Sequence, residues 1–156
     1  MKKLFIRLAC AVFVLSIVAC GKESSVLKNI EGTWGLIRTE YTISGGTEES
    51  GYDEYNPFAP SSSDDTKCVI IHTVDKNYLV TSYGWNKKTT SWGNPENTTW
   101  IINGNKVFME DIECEFILKL SSDTFSLERT FERMEDGEKN VYYNKLIFRK
   151  MSDLLE

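Results

Sequence analysis

The sequence predicts a single all-β domain, an antiparallel up-and-down β-barrel of about eight strands, and three observations carry that reading. Between Thr33 and Arg149 the apolar residues fall in short or alternating runs, and no window sustains a 3.6-residue period. Turn residues punctuate the runs at Asn103-Gly104-Asn105, Ser121-Ser122-Asp123 and Glu135-Asp136-Gly137-Glu138. Pro57, Pro60 and Pro95 all lie outside the runs, as a sheet with every backbone donor in use requires.

In chain order the expected strands are 33–43, 67–74, 77–85, 98–103, 106–111, 113–120, 123–133 and 140–149. The first opens on Gly32-Thr33-Trp34, and the second is the apolar run around Val69-Ile70-Ile71. The next three carry the aromatic and branched residues that favour strands, among them Tyr78, Val80, Trp100, Ile101, Val107 and Phe108. In 113–120 and 123–133 strict alternation places Cys114, Phe116, Leu118 and Leu120, then Phe125, Leu127, Arg129 and Phe131, on one face. Closure of the barrel requires 33–43 to pair with 140–149; an open sandwich of the same strands is the alternative. The segment 44–66 interrupts the pattern. It holds Glu48, Glu49, Asp53, Glu54, Asp64 and Asp65 and no basic residue, and its Ser-Asp run reads as disorder, while Tyr52, Tyr55 and Phe58 allow a lid over a barrel mouth.

The chain begins with Lys2, Lys3 and Arg7, followed by an apolar run from Leu8 to Ala19, the layout of an export signal. That run is too short to span a bilayer, which takes about 20 residues as a helix. It ends in Ile17-Val18-Ala19-Cys20, which resembles the lipobox of bacterial lipoproteins. The resemblance implies cleavage before Cys20 and lipid on its thiol, with acyl chains whose buried methylenes contribute roughly 0.8 kcal/mol each to membrane binding. An ordinary secretory signal with an incidental cysteine is the alternative. Gly21 is not the aspartate associated with inner-membrane retention, so the resemblance favours an outer membrane; Lys22-Glu23 is a partial likeness to a surface-export tag. The expected organisation is a signal peptide over 1–19, a lipidated tether over 20–31, the barrel over 32–150 and a short tail over 151–156.

All 23 acidic residues lie after the leader and three of the 18 basic ones lie in it, so the exported part is more acidic than the net charge of −5 for the whole chain. That balance argues against nucleic acid as a partner. Cys68 and Cys114 remain once the leader and Cys20 are set aside, either as a disulfide or as buried thiols. Two cysteines and one histidine without close spacing make no zinc site, and nothing calls for a cofactor.

A short helical turn before Gly32-x-Trp34, about eight strands, and an arginine at Phe148-Arg149 closing the last one resemble the lipocalin-like domains of bacterial lipoproteins. The resemblance implies a barrel whose floor is plugged by Trp34 after a turn at Gly32, with Arg149 lying over the indole. Apart from the resemblance, the mostly apolar face of 113–120 and 123–133 suits a barrel that is either filled by its own side chains or holds one small apolar or amphipathic molecule, with an acid of the protein, the barrel mouth or a ligand satisfying Arg129. The candidate lining is Phe116, Leu118, Phe125, Leu127, Arg129 and Phe131, with Arg129 meeting an acidic head group.

Catalysis has little to rest on. His72 is the sole histidine and lies in an apolar run, where it reads as a strand residue satisfied by hydrogen bonds. The acids of 44–66 offer oxygens without the spacing of a known calcium loop. The chain therefore reads as a non-enzymatic lipoprotein. Its partners are a membrane through Cys20 and either a small hydrophobic ligand or, if the barrel is filled, another envelope protein.

Overall fold

The computed structural model describes residues 29–46, 48–110 and 112–152, without the side chains of 112–114. The expected leader, the Cys20 anchor and the last four residues of the expected tail lie outside the described residues. The chain divides after Ile30, and Glu31–Glu156 is one compact unit. Its strands are β1 (Gly32–Ser44), β2 (Glu49–Glu54), β3 (Lys67–Val74), β4 (Asn77–Asn86), β5 (Ser91–Trp92), β6 (Glu96–Asn103), β7 (Lys106–Met109), β8 (Ile112–Leu120), β9 (Thr124–Glu135) and β10 (Glu138–Met151).

Eight of these close on themselves. The order β10-β9-β8-β7-β6-β4-β3-β1 returns to its start because β1 also pairs with β10, and every ladder is antiparallel. The expected closure of 33–43 on 140–149 is present from Thr33↔Met151 to Ser44↔Val141, which excludes the open sandwich. The hairpin residues have the positive φ their turns require: Asp75 (57°), Gly104 (61°), and the pair Asp136 (52°) and Gly137 (84°). Gly32, at φ 129°, starts β1 in a conformation that a side chain would strain.

A β-bulge between Leu36 and Arg38 divides β1. Below it, Gly32–Gly35 pairs with β3; above it, Arg38–Ile43 pairs with β2. The extra residue also shifts the alternation, so that Leu36 and Thr39 both face inward, opposite Phe148 and Leu146.

The barrel is filled at the end where β1 begins. Phe125 stacks on Phe148 (centroids 4.6 Å apart, planes at 13°) and meets the edge of Trp34 at 4.9 Å and of Trp100 at 6.4 Å. Trp34, Ile71, Val80, Val107, Phe125 and Leu127 are almost wholly buried. Each aromatic pair adds about 0.5–1.5 kcal/mol beyond the apolar area it covers. The cation at Trp34 is not the expected Arg149. Arg149 pairs with Gly35 and is exposed, whereas Lys150 pairs with Trp34 and holds its Nζ 5.5 Å from the indole centroid. Neighbouring residues of a strand point to opposite faces, so Lys150 shares the face of Trp34 and Arg149 does not.

The described residues of 44–66 are ordered rather than disordered. It supplies β2, then crosses the outer wall with Pro57 buried against Gly35, where a Cβ would come within 2.5 Å of Pro57 Cγ and 2.6 Å of Met151 Sδ. Thr66 Oγ1 donates to the Leu36 carbonyl (3.0 Å), and Trp85 donates through its backbone N–H to Thr66 (3.0 Å) and through Nε1 to Ser61 (2.8 Å). Cys68 lies in this outer cluster, opposite Gly35, as a buried free thiol that desolvation pushes up to about 11. The side chain of Cys114 lies outside the described residues.

Because Phe125 is the hub of the filled end, Phe125→Ala is expected to cost about 3–5 kcal/mol. Phe131→Ala, at the partly exposed end of the same inward face, is expected to cost much less. Urea unfolding monitored by tryptophan fluorescence checks both; equal losses would mean that the filled end is not where stability is concentrated.

Candidate functional site

Register fixes which side chains look into the barrel. From the filled end upward, β1, β10 and β9 present Leu36/Phe148/Phe125, then Thr39/Leu146/Leu127, then Tyr41/Asn144/Arg129, then Ile43/Tyr142/Phe131. The column runs from aromatic core through aliphatic residues to a polar level carrying an arginine, and ends in a ring pair at the rim. Phe131 and Tyr142 stack at 5.0 Å and 11°.

At the middle levels the interior is open. A cavity of about 430 Å³ is lined by Thr39, Tyr41, Phe116, Leu127, Arg129, Asn144 and Leu146, with Glu40 and Lys145 at its margin. Its walls are mainly apolar, and its size falls within the 300–1,000 Å³ range of small-molecule pockets. The Arg129 guanidinium sits between two rings, 4.2 Å from the Phe131 centroid and 5.8 Å from that of Phe116. Both rings present their faces to the guanidinium, which adds cation–π attraction at the cavity wall.

The six expected lining residues therefore divide. Phe116, Leu127 and Arg129 line the cavity, and Phe131 stands over Arg129 at the rim. Leu118 and Phe125 are buried in the filled half. Thr39, Tyr41, Asn144 and Leu146 escape sequence reasoning: their strands alternate less cleanly, and on β1 the bulge reverses the face partway along.

Of the three aromatics in 44–66, only Tyr55 reaches the inward side, where its hydroxyl meets Thr39 Oγ1 at 3.1 Å. Tyr52 lies on the outer face of β2 opposite Glu40, 60% exposed, with the Arg38 guanidinium 4.1 Å over its ring; Phe58 is also exposed. They form no lid. Gly51 instead lets Tyr41 lie flat across β2, since a Cβ there would come within 2.7 Å of the ring. The Tyr41 hydroxyl donates to Glu49 at 2.8 Å, and that hydrogen bond and charge hold the phenol above its ordinary pKa.

His72 is exposed on the outer face of β3 opposite Leu79, not tucked into the core. The acids of 44–66 are engaged singly. Glu54 pairs with Arg38 at 3.3 Å and Asp65 with Lys87 at 3.6 Å, while Asp64 accepts the Ser61 N–H. Among the described residues no three or more His, Cys, Asp or Glu side chains gather as a metal centre.

No protein-family model matches the sequence, and no curated protein matches it significantly. One solved structure similar to it is described as "The Siderocalin Ex-FABP functions through dual ligand specificities"; it aligns at 12% identity over 79% of this chain and 71% of that one, with a TM-score of 0.45. The assignment of this chain as an eight-stranded, closed, antiparallel barrel rests on its own strand order and register.

Proposed function

We propose that this chain is a membrane-anchored lipoprotein whose lipocalin-like barrel binds a small acidic amphiphile in the cell envelope. The observation that carries the reading is the cavity of about 430 Å³ in which an apolar wall of Phe116, Leu127 and Leu146 is closed by the guanidinium of Arg129. An apolar body against that wall is worth roughly 25 cal/mol per Å² removed from water. A carboxylate or similar head meets Arg129, with Asn144 at the same level offering an amide donor. The anchor is proposed from Ile17-Val18-Ala19-Cys20 and the basic, apolar leader before it.

A scaffold role is the second reading. It is favoured by the outer wall of β6 and β7, where Ile101 and Phe108 face each other across the ladder at 49% and 41% exposure.

Titration of soluble protein lacking residues 1–20 with dansylamino-undecanoic acid checks the binding reading. Saturable, blue-shifted emission is expected. Arg129→Ala should weaken it by about tenfold or more, the equivalent of one charge-assisted hydrogen bond, and Leu127→Trp should abolish it by filling the cavity. Binding unaffected by Leu127→Trp would place the probe elsewhere and leave the scaffold reading.

For the anchor, cells fed labelled palmitate should label the full-length chain, and Cys20→Ala should give an unlabelled precursor that keeps its leader. Normal processing of the Cys20→Ala chain would replace the lipoprotein reading with ordinary secretion.

A further inference from the structure

The outer wall is not uniformly polar. Beside the turn joining β3 to β4 the outward residues are His72, Val74, Asn77 and Leu79, and across β6 and β7 they continue as Thr99, Ile101 and Phe108. Val74, Leu79, Ile101 and Phe108 are exposed. A hollow of about 330 Å³ is bordered by Asn77, Thr99, Ile101 and Phe108, with Glu110 on its side toward the rim. Apolar exposure gathered in this way marks an interaction surface.

The patch lies at the filled end of the barrel. Tyr78 and Trp100, the inward neighbours of Leu79 and Ile101, pair with each other, and Trp100 meets Phe125. The chain also enters at that end. Gly32 pairs with Ile71, and the Glu31 carboxylate accepts the Thr73 N–H at 2.8 Å, one residue from Val74.

Resting on the anchor reading above, we infer that this patch is a membrane-docking face, seated on the phospholipid surface that holds the lipid of Cys20.

Reach and charge both select that occupant. Residues 20–31 span at most about 40 Å when fully extended. β1 is 13 residues long, about 40 Å along the strand. The rim therefore meets lipid only with the tether drawn straight along the whole wall, whereas the entry end meets it with length to spare. Acids gather at the rim, where Glu49, Glu132, Glu135, Asp136 and Glu138 outnumber Arg133 and Lys139. Around the patch the charges balance: Lys106 pairs with Glu115 at 2.8 Å, and Asp75 adjoins Lys76 in the turn between β3 and β4. Docking by the filled end keeps the rim acids several screening lengths of about 8 Å from anionic head groups. Val74, Leu79, Ile101 and Phe108 then leave water for the boundary between head groups and acyl chains, about 5–10 Å deep, and the rim faces the aqueous side.

Photocrosslinking of the full-length chain in cells tests the assignment. Either Phe108→p-benzoylphenylalanine or, on the exposed face of β2, Tyr52→p-benzoylphenylalanine is introduced; both side chains are exposed, so neither replacement enters the core. Cells are grown with radioactive phosphate, irradiated, and the purified chain is compared with a dark sample. Light-dependent phosphate label, the mark of a captured phospholipid, should be about tenfold or more greater at 108 than at 52, as expected of a side chain seated in the lipid boundary. Equal label at both positions, or none at 108, would overturn the docking face. A protein adduct at 108 in place of lipid would overturn it too, and would favour the scaffold reading. A parent chain that takes up no labelled palmitate would instead count against the anchor reading, and so the two failures are distinguishable.

Discussion

The ladder between β1 and β10 is the constraint on which the rest of the molecule depends. It joins the two ends of the domain and removes the free edges of a long sheet. It also decides which residues of both strands are interior. The bulge within it is as consequential as the closure. By adding one residue after Leu36 it releases the upper half of β1 from β3, hands that half to β2, and brings Thr39 and Tyr41 to the inner face. Without the shift, Arg38 and Glu40 would point inward and the cavity would be lined by the ion pair they now make outside at 2.9 Å.

One barrel thereby serves two physical ends. Its lower half is spent on stability: three large rings meet around Phe125, and Lys150 lies under the indole of Trp34. The upper half cannot be filled in the same way, because its inward residues include Thr39, Tyr41, Asn144 and Arg129, whose polar groups need partners or solvent. Polarity rising along one inner face is what turns a core into a pocket.

Much of this was legible in the sequence, for definable reasons. Period-two runs separated by turn residues located eight strands to within a few residues, and the Asp136-Gly137 and Gly104 turns adopt the positive φ that their residue types suggest. β8 and β9 were readable down to their faces, because neither carries a bulge within the stretch that pairs them. Where the sequence misled, the cause was long-range. β2 is an acidic stretch with little strand propensity, and it pairs because the bulge leaves an edge of β1 to cover. The ordering of 55–66 turns on the missing Cβ of Gly35, a contact that no local pattern announces. Arg149 and Lys150 differ by one position, a distinction settled by register alone.

One end of the barrel is packed, and in the proposed reading the other receives a ligand beside Arg129. Backbone and indole NMR shifts during titration with sodium laurate test it most directly. Shifts centred on Thr39, Tyr41, Phe116, Leu127, Arg129 and Asn144, with the indole resonances of Trp34 and Trp100 unmoved, are the result this account predicts. Shifts centred on Trp34 and Trp100, or on Ile101 and Phe108 at the outer wall, would contradict it.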